Sequence, residues 1–162
     1  MSSSEIIILI LTIVVFMATT VNYNHIMLSK SQNLWATIEN SNGLALGQYL
    51  LDVVWTRAYD KNTVNSIPSN IPGAFTKPNS LGAENGETFP FNDIDDFNNW
   101  KTVFRFANTD FKVSGRVFYS NLNGDSLSSK SEQKMVIFKI ENPLDGSFIK
   151  TQKLFSFISG TN

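Results

Sequence analysis

The stretch that decides the fold is Met1-Ser-Ser-Ser-Glu5 followed by Ile6-Ile-Ile-Leu-Ile-Leu-Thr-Ile-Val-Val-Phe-Met-Ala-Thr-Thr-Val21. Between Ile6 and Met17 only Thr12 is polar, so a helix formed here is apolar on every face. Such a helix rises about 24 Å from Ile6 to Val21, and the residues up to Leu28 complete a span of a hydrocarbon core about 30 Å thick. The stretch predicts a membrane-spanning helix.

Three other interpretations of this stretch fit its residues less well. A secretory signal peptide would have a basic region before the apolar run and a small-residue cleavage site after it, and neither is present. A buried core helix would need a larger soluble domain around it, because all its faces are apolar. An ordinary signal anchor would have a cytoplasmic Lys or Arg on one flank, whereas the first cation, Lys30, lies on the far side.

Glu5 favours a fourth interpretation, since a carboxylate at the edge of an apolar run is unfavourable in lipid unless it has a partner. The segment resembles the N-terminus of mature type IV pilins and pseudopilins, in which a short basic leader is removed, the new amine is methylated, and a glutamate is the fifth residue. The resemblance implies that Met1 is the processed first residue and that Glu5 pairs with the N-terminal amine of a neighbouring subunit. It also assigns the filament core, and the membrane anchor before assembly, to Ile6, Ile7, Leu9, Ile10, Ile13, Val14, Phe16 and Met17.

Beyond Asn24 the apolar residues recur at helical spacing, which predicts an amphipathic continuation that ends near Tyr59 and Asp60. One apolar stripe contains Leu34, Ile38, Ala45, Tyr49 and Val53, and Leu46, Leu50 and Val54 widen it. Gly43 and Gly47 are unfavourable inside a helix, so we expect a bend or close packing there. The segment from Leu44 to Trp55 resembles the matching helix of minor pilins from mannose-sensitive haemagglutinin-type pili.

Residues 61–99 contain four prolines and several glycines, which predicts a long connecting loop. The loop ends in Phe89-Pro-Phe-Asn-Asp-Ile-Asp-Asp-Phe-Asn-Asn-Trp100, and this string also resembles an Asp-rich motif of those minor pilins. Asp93, Asp95 and Asp96 are hard oxygen ligands of the kind that calcium prefers, which makes them weak calcium candidates. The spacing does not fit an EF-hand, and turn formation with N-capping explains the same residues without a metal. We therefore expect no cofactor.

Alternating polar and apolar residues predict strands at 111–119, 134–140 and 148–158, with a shorter one at 103–106. Short turns between successive strands indicate an antiparallel meander with one face on the helix and the other in water. The predicted fold class is α+β, in which a long N-terminal helix packs on a small C-terminal antiparallel sheet. Its parts are residues 1–24 (membrane or filament-core helix), 25–60 (amphipathic continuation), 61–99 (connecting loop) and 100–162 (sheet).

Composition excludes several classes of function. The chain has 162 residues, a formal net charge of -1, no cysteine and one histidine. Disulfides and thiolate metal sites are therefore ruled out, and the absence of a basic stripe predicts no nucleic-acid partner. His25 has no nearby serine–acid pairing of the triad type, and phosphate-binding glycine motifs are missing. The chain is not expected to be an enzyme.

The resemblance implies a structural subunit of a type IV pilus-like filament, held in the inner membrane before assembly and exposed at the cell surface afterwards. Its partners would be copies of itself or related pilins, the inner membrane, the prepilin peptidase and the pilus assembly platform. A minor pseudopilin of a type II secretion system and a signal-anchored periplasmic binding module remain alternatives.

Overall fold

The computed structural model describes residues 2–157. One long helix, α1 (Ser3–Trp55), is followed by three short 3₁₀ helices at Lys61–Thr63, Pro78–Ser80 and Asp95–Phe97. Four strands follow within the described residues: β1 (Lys101–Phe106), β2 (Thr109–Tyr119), β3 (Gln133–Glu141) and β4 (Phe148–Ser156). They form one antiparallel sheet in the order β1-β2-β3-β4. The predicted α+β fold, a long apolar N-terminal helix followed by a small meander on which it packs, is confirmed.

The chain separates into two compact units. Residues up to Glu39 form the first, which is helical from Ser3 onward, and residues from Asn40 form the second. The second unit contains the C-terminal end of α1, the connecting region and the sheet. The division predicted between residues 24 and 25 follows the change from apolar to mixed sequence, whereas the compact units divide later in the chain.

The helix ends at Trp55, so the end predicted near Tyr59 and Asp60 is wrong by about one turn. Ala58 leaves the helical path because its backbone pairs with the connecting region instead. Its N–H donates to Asn92 O (3.2 Å), and its carbonyl accepts from Ile94 N–H (2.9 Å). These two bonds satisfy backbone groups that another helical turn would otherwise have used.

The predicted apolar stripe of the second unit is displaced by about one position. Leu46, Leu50 and Val54, expected only to widen the stripe, are fully buried, whereas Tyr49 and Ala45 are exposed. Leu34 and Ile38, in the first unit, are exposed as well. The buried face of α1 is therefore the face that contains Gly43 and Gly47, and not the centre of the predicted apolar stripe.

Gly43 and Gly47 lie where the end of α1 meets β4, and they allow a close approach. A Cβ atom at Gly43 would lie 2.6 Å from Ile149 Cδ1, and one at Gly47 would lie 2.5 Å from Thr151 Cγ2. Neither position has room for a methyl group without movement of its neighbour. The prediction of close packing at these glycines is confirmed.

The sheet has the alternation expected of a half-buried antiparallel structure. Along β2, Phe111, Val113, Val117 and Tyr119 are buried, and the residues between them are largely exposed or half-buried, except for Gly115. A two-residue turn joins β1 to β2, with Ala107 and Asn108 both at positive φ (46° and 69°). Positive φ at both central residues is the geometry that matches the twist of a tight hairpin.

The connecting region supplies much of the core, which the sequence did not indicate. Phe75, Leu81, Phe91, Ile94 and Phe97 are buried there. The ring of Phe97 meets that of Phe138 on β3 edge-to-face, with centroids 5.7 Å apart. Residues 61–99 therefore form a long irregular segment, as predicted, but a packed one.

Candidate functional site

The apolar N-terminal segment is exposed on all sides. Of the residues predicted to form a filament core, each is between 45% and 70% exposed: Ile6, Ile7, Leu9, Ile10, Ile13, Val14, Phe16 and Met17. Soluble monomers rarely expose contiguous apolar surface of this kind, which usually marks a membrane or protein contact. The helix is long and apolar enough to cross a membrane.

The few hydroxyl groups in this segment are satisfied within the helix. Thr12 Oγ1 donates to Ile8 O (2.8 Å), and the hydroxyl groups of Thr19 and Thr20 both donate to Phe16 O (2.9 and 2.8 Å). A hydroxyl that bonds to the carbonyl of the preceding turn presents mainly its methyl group outward. The three threonines therefore interrupt the apolar surface very little.

Glu5 stands in the first turn of α1, where a negative charge interacts favourably with the helix dipole. Its Oε2 accepts a hydrogen bond from Ser2 N–H (2.8 Å), and its own N–H donates to Ser2 O (3.1 Å). Within residues 2–157, no lysine or arginine lies at ion-pair distance from Glu5. Met1, the other residue predicted to act in assembly, lies outside the described residues.

The three aspartates of the connecting region belong to two different environments. Asp95 lies against Lys134 of β3, with 2.5 Å between Oδ1 and Nζ. Asp93 and Asp96 instead lie beside Glu84, and one carboxylate oxygen from each of the three is within 4.8 Å of the others. The three predicted calcium candidates therefore do not lie in one site. The 3₁₀ helix at Asp95–Phe97 directs the adjacent side chains of Asp95 and Asp96 to different neighbours.

Lys134 is the centre of a buried ionic cluster. Its side chain has no exposed surface, and its Nζ donates to Asp60 Oδ2 (3.0 Å) and Tyr59 O (2.8 Å) as well as to Asp95. The ammonium group also lies 4.3 Å from the ring centroid of Tyr59 and 5.0 Å from that of Tyr119. Two carboxylates and two aromatic faces thus surround one cation.

The two carboxylates of the cluster respond differently to burial. Burial alone would raise the pKa of Asp60, but the Lys134 charge and hydrogen bonds, including one from Thr76 N–H, lower it to about 2. Burial raises the pKa of Asp95 to about 7, because the Lys134 charge is shared with Asp60, whose own charge repels that of Asp95. The single positive charge of Lys134 therefore fully compensates the negative charge of Asp60 but not that of Asp95.

Beside this cluster, the Glu84, Asp93 and Asp96 group has an excess of negative charge. Burial raises the pKa of Asp93 to about 6. Burial, followed by the charges of Asp93 and Glu87, raises the pKa of Asp96 to about 8. Carboxylates that are buried and close together favour a bound proton or a bound cation over two free charges.

The sequence did not identify Asp60, Glu84 or Lys134 as site residues. In the sequence, Asp60 follows the predicted helix and Glu84 lies in the middle of the connecting region. Lys134 belongs to a strand with an ordinary mixture of polar and apolar residues. Lys134 takes an inward position among Val136, Phe138 and Ile140. A lysine in phase with those apolar residues is the one signal that would have indicated a buried cation.

No known protein family, curated protein or solved structure matches this chain.

Proposed function

We propose that this protein is a non-catalytic structural subunit of a type IV pilus-like filament, anchored in the inner membrane by its N-terminal helix before assembly. The observation that carries the proposal is the helix beginning at Ile6, which is apolar and exposed on all its faces, with Glu5 at its edge. A helix that is apolar all round requires lipid or other apolar helices on every side.

The apolar segment suits both states of such a subunit. In the membrane its side chains contact lipid, and in a filament they would contact the same segment of neighbouring copies. Lipid is as apolar as leucine, so burial alone does not favour the filament over the bilayer. Close packing and a specific polar contact must provide the difference.

Glu5 is the group that supplies the polar contact in this proposal. Its hydrogen bond from the Ser2 backbone is local, and its charge has no cationic partner among residues 2–157. An N-terminal amine of a neighbouring subunit would neutralise it within an apolar surrounding, where opposite charges attract strongly. The same pair would set the axial register between copies.

The C-terminal unit is then the part of the subunit exposed at the cell surface. Copies of the chain or related pilins, a prepilin peptidase and an assembly platform are the partners that this proposal requires. A minor pseudopilin would share all of these features and differ in the filament it joins. A membrane-anchored binding module would keep the helix in lipid and remain monomeric.

The test is the Glu5→Gln variant, expressed in the native host in place of the wild-type chain. Loss of a charge pair in an apolar setting is expected to reduce the yield of sheared filaments by roughly tenfold or more. Glu132→Gln is the matched control, since Glu132 is an exposed carboxylate of the C-terminal unit, and it should leave the yield unchanged. Circular dichroism should show that both variants remain folded.

Mass spectrometry of the mature N-terminus supplies a second test. We expect a methylated amine on the residue four positions before Glu5. Filaments at wild-type yield from the Glu5→Gln variant would refute the role of Glu5. A native protein that has an unmodified start and stays monomeric would favour the membrane-anchored binding module instead.

A further inference from the structure

The most unusual polar group outside the N-terminal segment is formed by Glu84, Asp93 and Asp96. One carboxylate oxygen of each residue lies within 4.8 Å of the other two. From this geometry we propose that the three side chains form a calcium site that fastens the middle of the connecting region to its Asp93–Asp96 end, which is paired with the chain leaving helix α1. The proposal is independent of filament assembly.

Two buried carboxylate oxygens of this group lack hydrogen-bond partners. Asp93 is fully buried and Asp96 is 1% exposed, and within residues 2–157 neither Asp93 Oδ2 nor Asp96 Oδ1 has a hydrogen-bond partner. The other oxygen of each is occupied by a backbone N–H: Asp93 Oδ1 accepts from Asp95 (2.7 Å), and Asp96 Oδ2 accepts from Asp93 (3.4 Å). A buried carboxylate oxygen without a partner is strongly unfavourable, and a cation would satisfy both at once.

The group also has more negative charge than the neighbouring cations compensate. Glu87 adds a fourth carboxylate next to the site, where it accepts hydrogen bonds from Glu84 N–H (3.1 Å) and from the Asn92 amide. Lys61 forms an ion pair with Glu84 Oε1 (3.2 Å) and is itself 44% exposed. Lys134 already bonds to Asp60 and Asp95. The protein itself therefore leaves the negative charge of the Asp93–Asp96 pair largely uncompensated.

Access favours calcium among the hard divalent cations. Ca²⁺ binds oxygens at about 2.3–2.6 Å, so two of its ligands can lie up to about 5 Å apart, and the three oxygens, all within 4.8 Å of one another, meet this limit. The side chain of Glu84 is 38% exposed, which leaves one open side for water ligands. Calcium accepts such irregular sites with several waters more readily than magnesium accepts departures from octahedral geometry.

The position of the site gives the cation a structural role. Asp93 is paired with Ala58 in an isolated parallel bridge, and the Ala58 carbonyl accepts from Ile94 N–H (2.9 Å). Ala58 follows the end of α1 by three residues, whereas Glu84 belongs to the middle of the connecting region. A cation bound by Glu84 and Asp93 would hold these two parts together.

The experiment uses the full-length protein in detergent micelles, stripped with EGTA and dialysed into chelator-free buffer at pH 7.5. Isothermal titration calorimetry with CaCl₂ should give a single site with a Kd on the order of 10⁻⁴ M. In thermal unfolding, a Ca²⁺ concentration about 100-fold above the Kd should raise Tm by roughly 5–10 °C. MgCl₂ at the same concentration should produce less than half of that shift.

Three variants make the test specific. Asp96→Asn and Glu84→Gln should each weaken calcium binding by at least tenfold. Asp96→Asn should also remain folded, and without calcium it should be at least as stable as the wild type, because it removes a buried charge. Asp125→Asn, at an exposed turn, is the control and should bind calcium as the wild type does.

Each possible result decides the proposal. Calcium binding that is lost in Asp96→Asn and Glu84→Gln but kept in Asp125→Asn supports it. No heat and no change in Tm for the wild type at 10 mM CaCl₂, a concentration about 100 times the expected Kd, overturns it and leaves a shared proton as the compensating species. Equal responses of the wild type and both site variants, or an equal response to Mg²⁺, overturn the assignment of these ligands or of calcium.

Discussion

Lys134 shows how a single residue determines the polarity of the interior. It occupies an inward position of β3 among apolar residues, and its ammonium group lies against Asp60 and Asp95. Removal of one partner from a buried ion pair leaves the remaining charge uncompensated, which is far less favourable than an apolar replacement of the whole group. The cluster therefore depends on all three residues being present together.

The Lys134→Met variant tests this dependence. Methionine keeps most of the side-chain volume and removes the charge, so we expect the free energy of unfolding at pH 7 to fall by about 3–5 kcal/mol. Urea denaturation of the full chain in detergent measures the change. Lys150→Met, on the exposed side of β4, should change it by less than about 0.5 kcal/mol, and a similarly small loss in Lys134→Met would contradict the argument.

The aspartates predict an unusual dependence of stability on pH. The pKa values of Asp93, Asp95 and Asp96 are raised from 3.8 to about 6, about 7 and about 8. The folded state thus binds these protons more tightly than the unfolded state, so their contribution to stability is complete below the unfolded pKa of 3.8 and is lost as pH rises from there through the raised values. The lowered pKa of Asp60, about 2, acts in the opposite direction and removes stability as pH falls from about 4 to about 2.

We therefore expect the urea midpoint, measured in EGTA, to increase as the pH is lowered from about 9 to about 5 and to decrease below about 4. The Asp96→Asn variant should show a smaller increase across this whole range, because the proton of Asp96 contributes between its unfolded pKa of 3.8 and its raised value of about 8. A urea midpoint that stays constant or increases as the pH is raised from 5 to 8 would show that burial of these carboxylates is not the dominant influence on stability.

At the scale of elements, glycines determine how closely helix, sheet and connecting region approach one another. Gly43 and Gly47 bring the end of α1 onto β4, and Gly115 brings the connecting region onto β2. At Gly115 an added Cβ would lie 2.4 Å from the backbone oxygen of Phe97. A backbone atom moves less readily than the end of a side chain, so this contact is the least tolerant of the three.

Substitution of this glycine is expected to be strongly destabilising. We predict that Gly115→Ala lowers the free energy of unfolding by about 2–3 kcal/mol, since overpacking displaces Phe97 from the core. Ser114→Ala, at the neighbouring outward position, should change it by less than about 0.5 kcal/mol. Chemical denaturation of both variants gives the comparison, and equal stabilities would show that the connecting region adapts without loss.

At the scale of the whole molecule, the two compact units differ in the surface that they present. The first exposes isoleucine, leucine, valine and phenylalanine around the helix, and the second buries many of its aromatic residues in a core of its own. Only the second has the interior of a water-soluble domain. The first has the surface of a segment that functions within lipid or among other helices.

Charge placed in the first unit should therefore release the protein from membranes. We expect the double variant Ile10→Arg and Val14→Arg to lose most of its carbonate-resistant membrane fraction, because each arginine near the centre of a span adds about 2.5–3.5 kcal/mol to insertion. Leu44→Arg, at an exposed position of the second unit (58% exposed), should stay in the membrane fraction. Unchanged retention of the double variant would argue against a spanning segment.

The sequence alone determined the elements and their order. The run from Ile6, the helical spacing that follows it and the period-two pattern of the strands all depend on local periodicity, which is visible along the chain. Among residues 2–157 the strand limits differ from those predicted by only a few residues, as in β3 at Gln133–Glu141. The predicted end of the last strand, at residue 158, lies outside the described residues. The glycines of α1 also correctly indicated close packing.

Only the tertiary structure determined which side chains meet. It placed Lys134 between Asp60 and Asp95, separated Asp95 from Asp93 and Asp96, and brought Glu84 to the latter pair. It also selected the glycine face of α1 over the centre of its apolar stripe. The physical reason is that these contacts join residues far apart in the chain through an irregular segment, whose path follows from packing and has no periodicity to read.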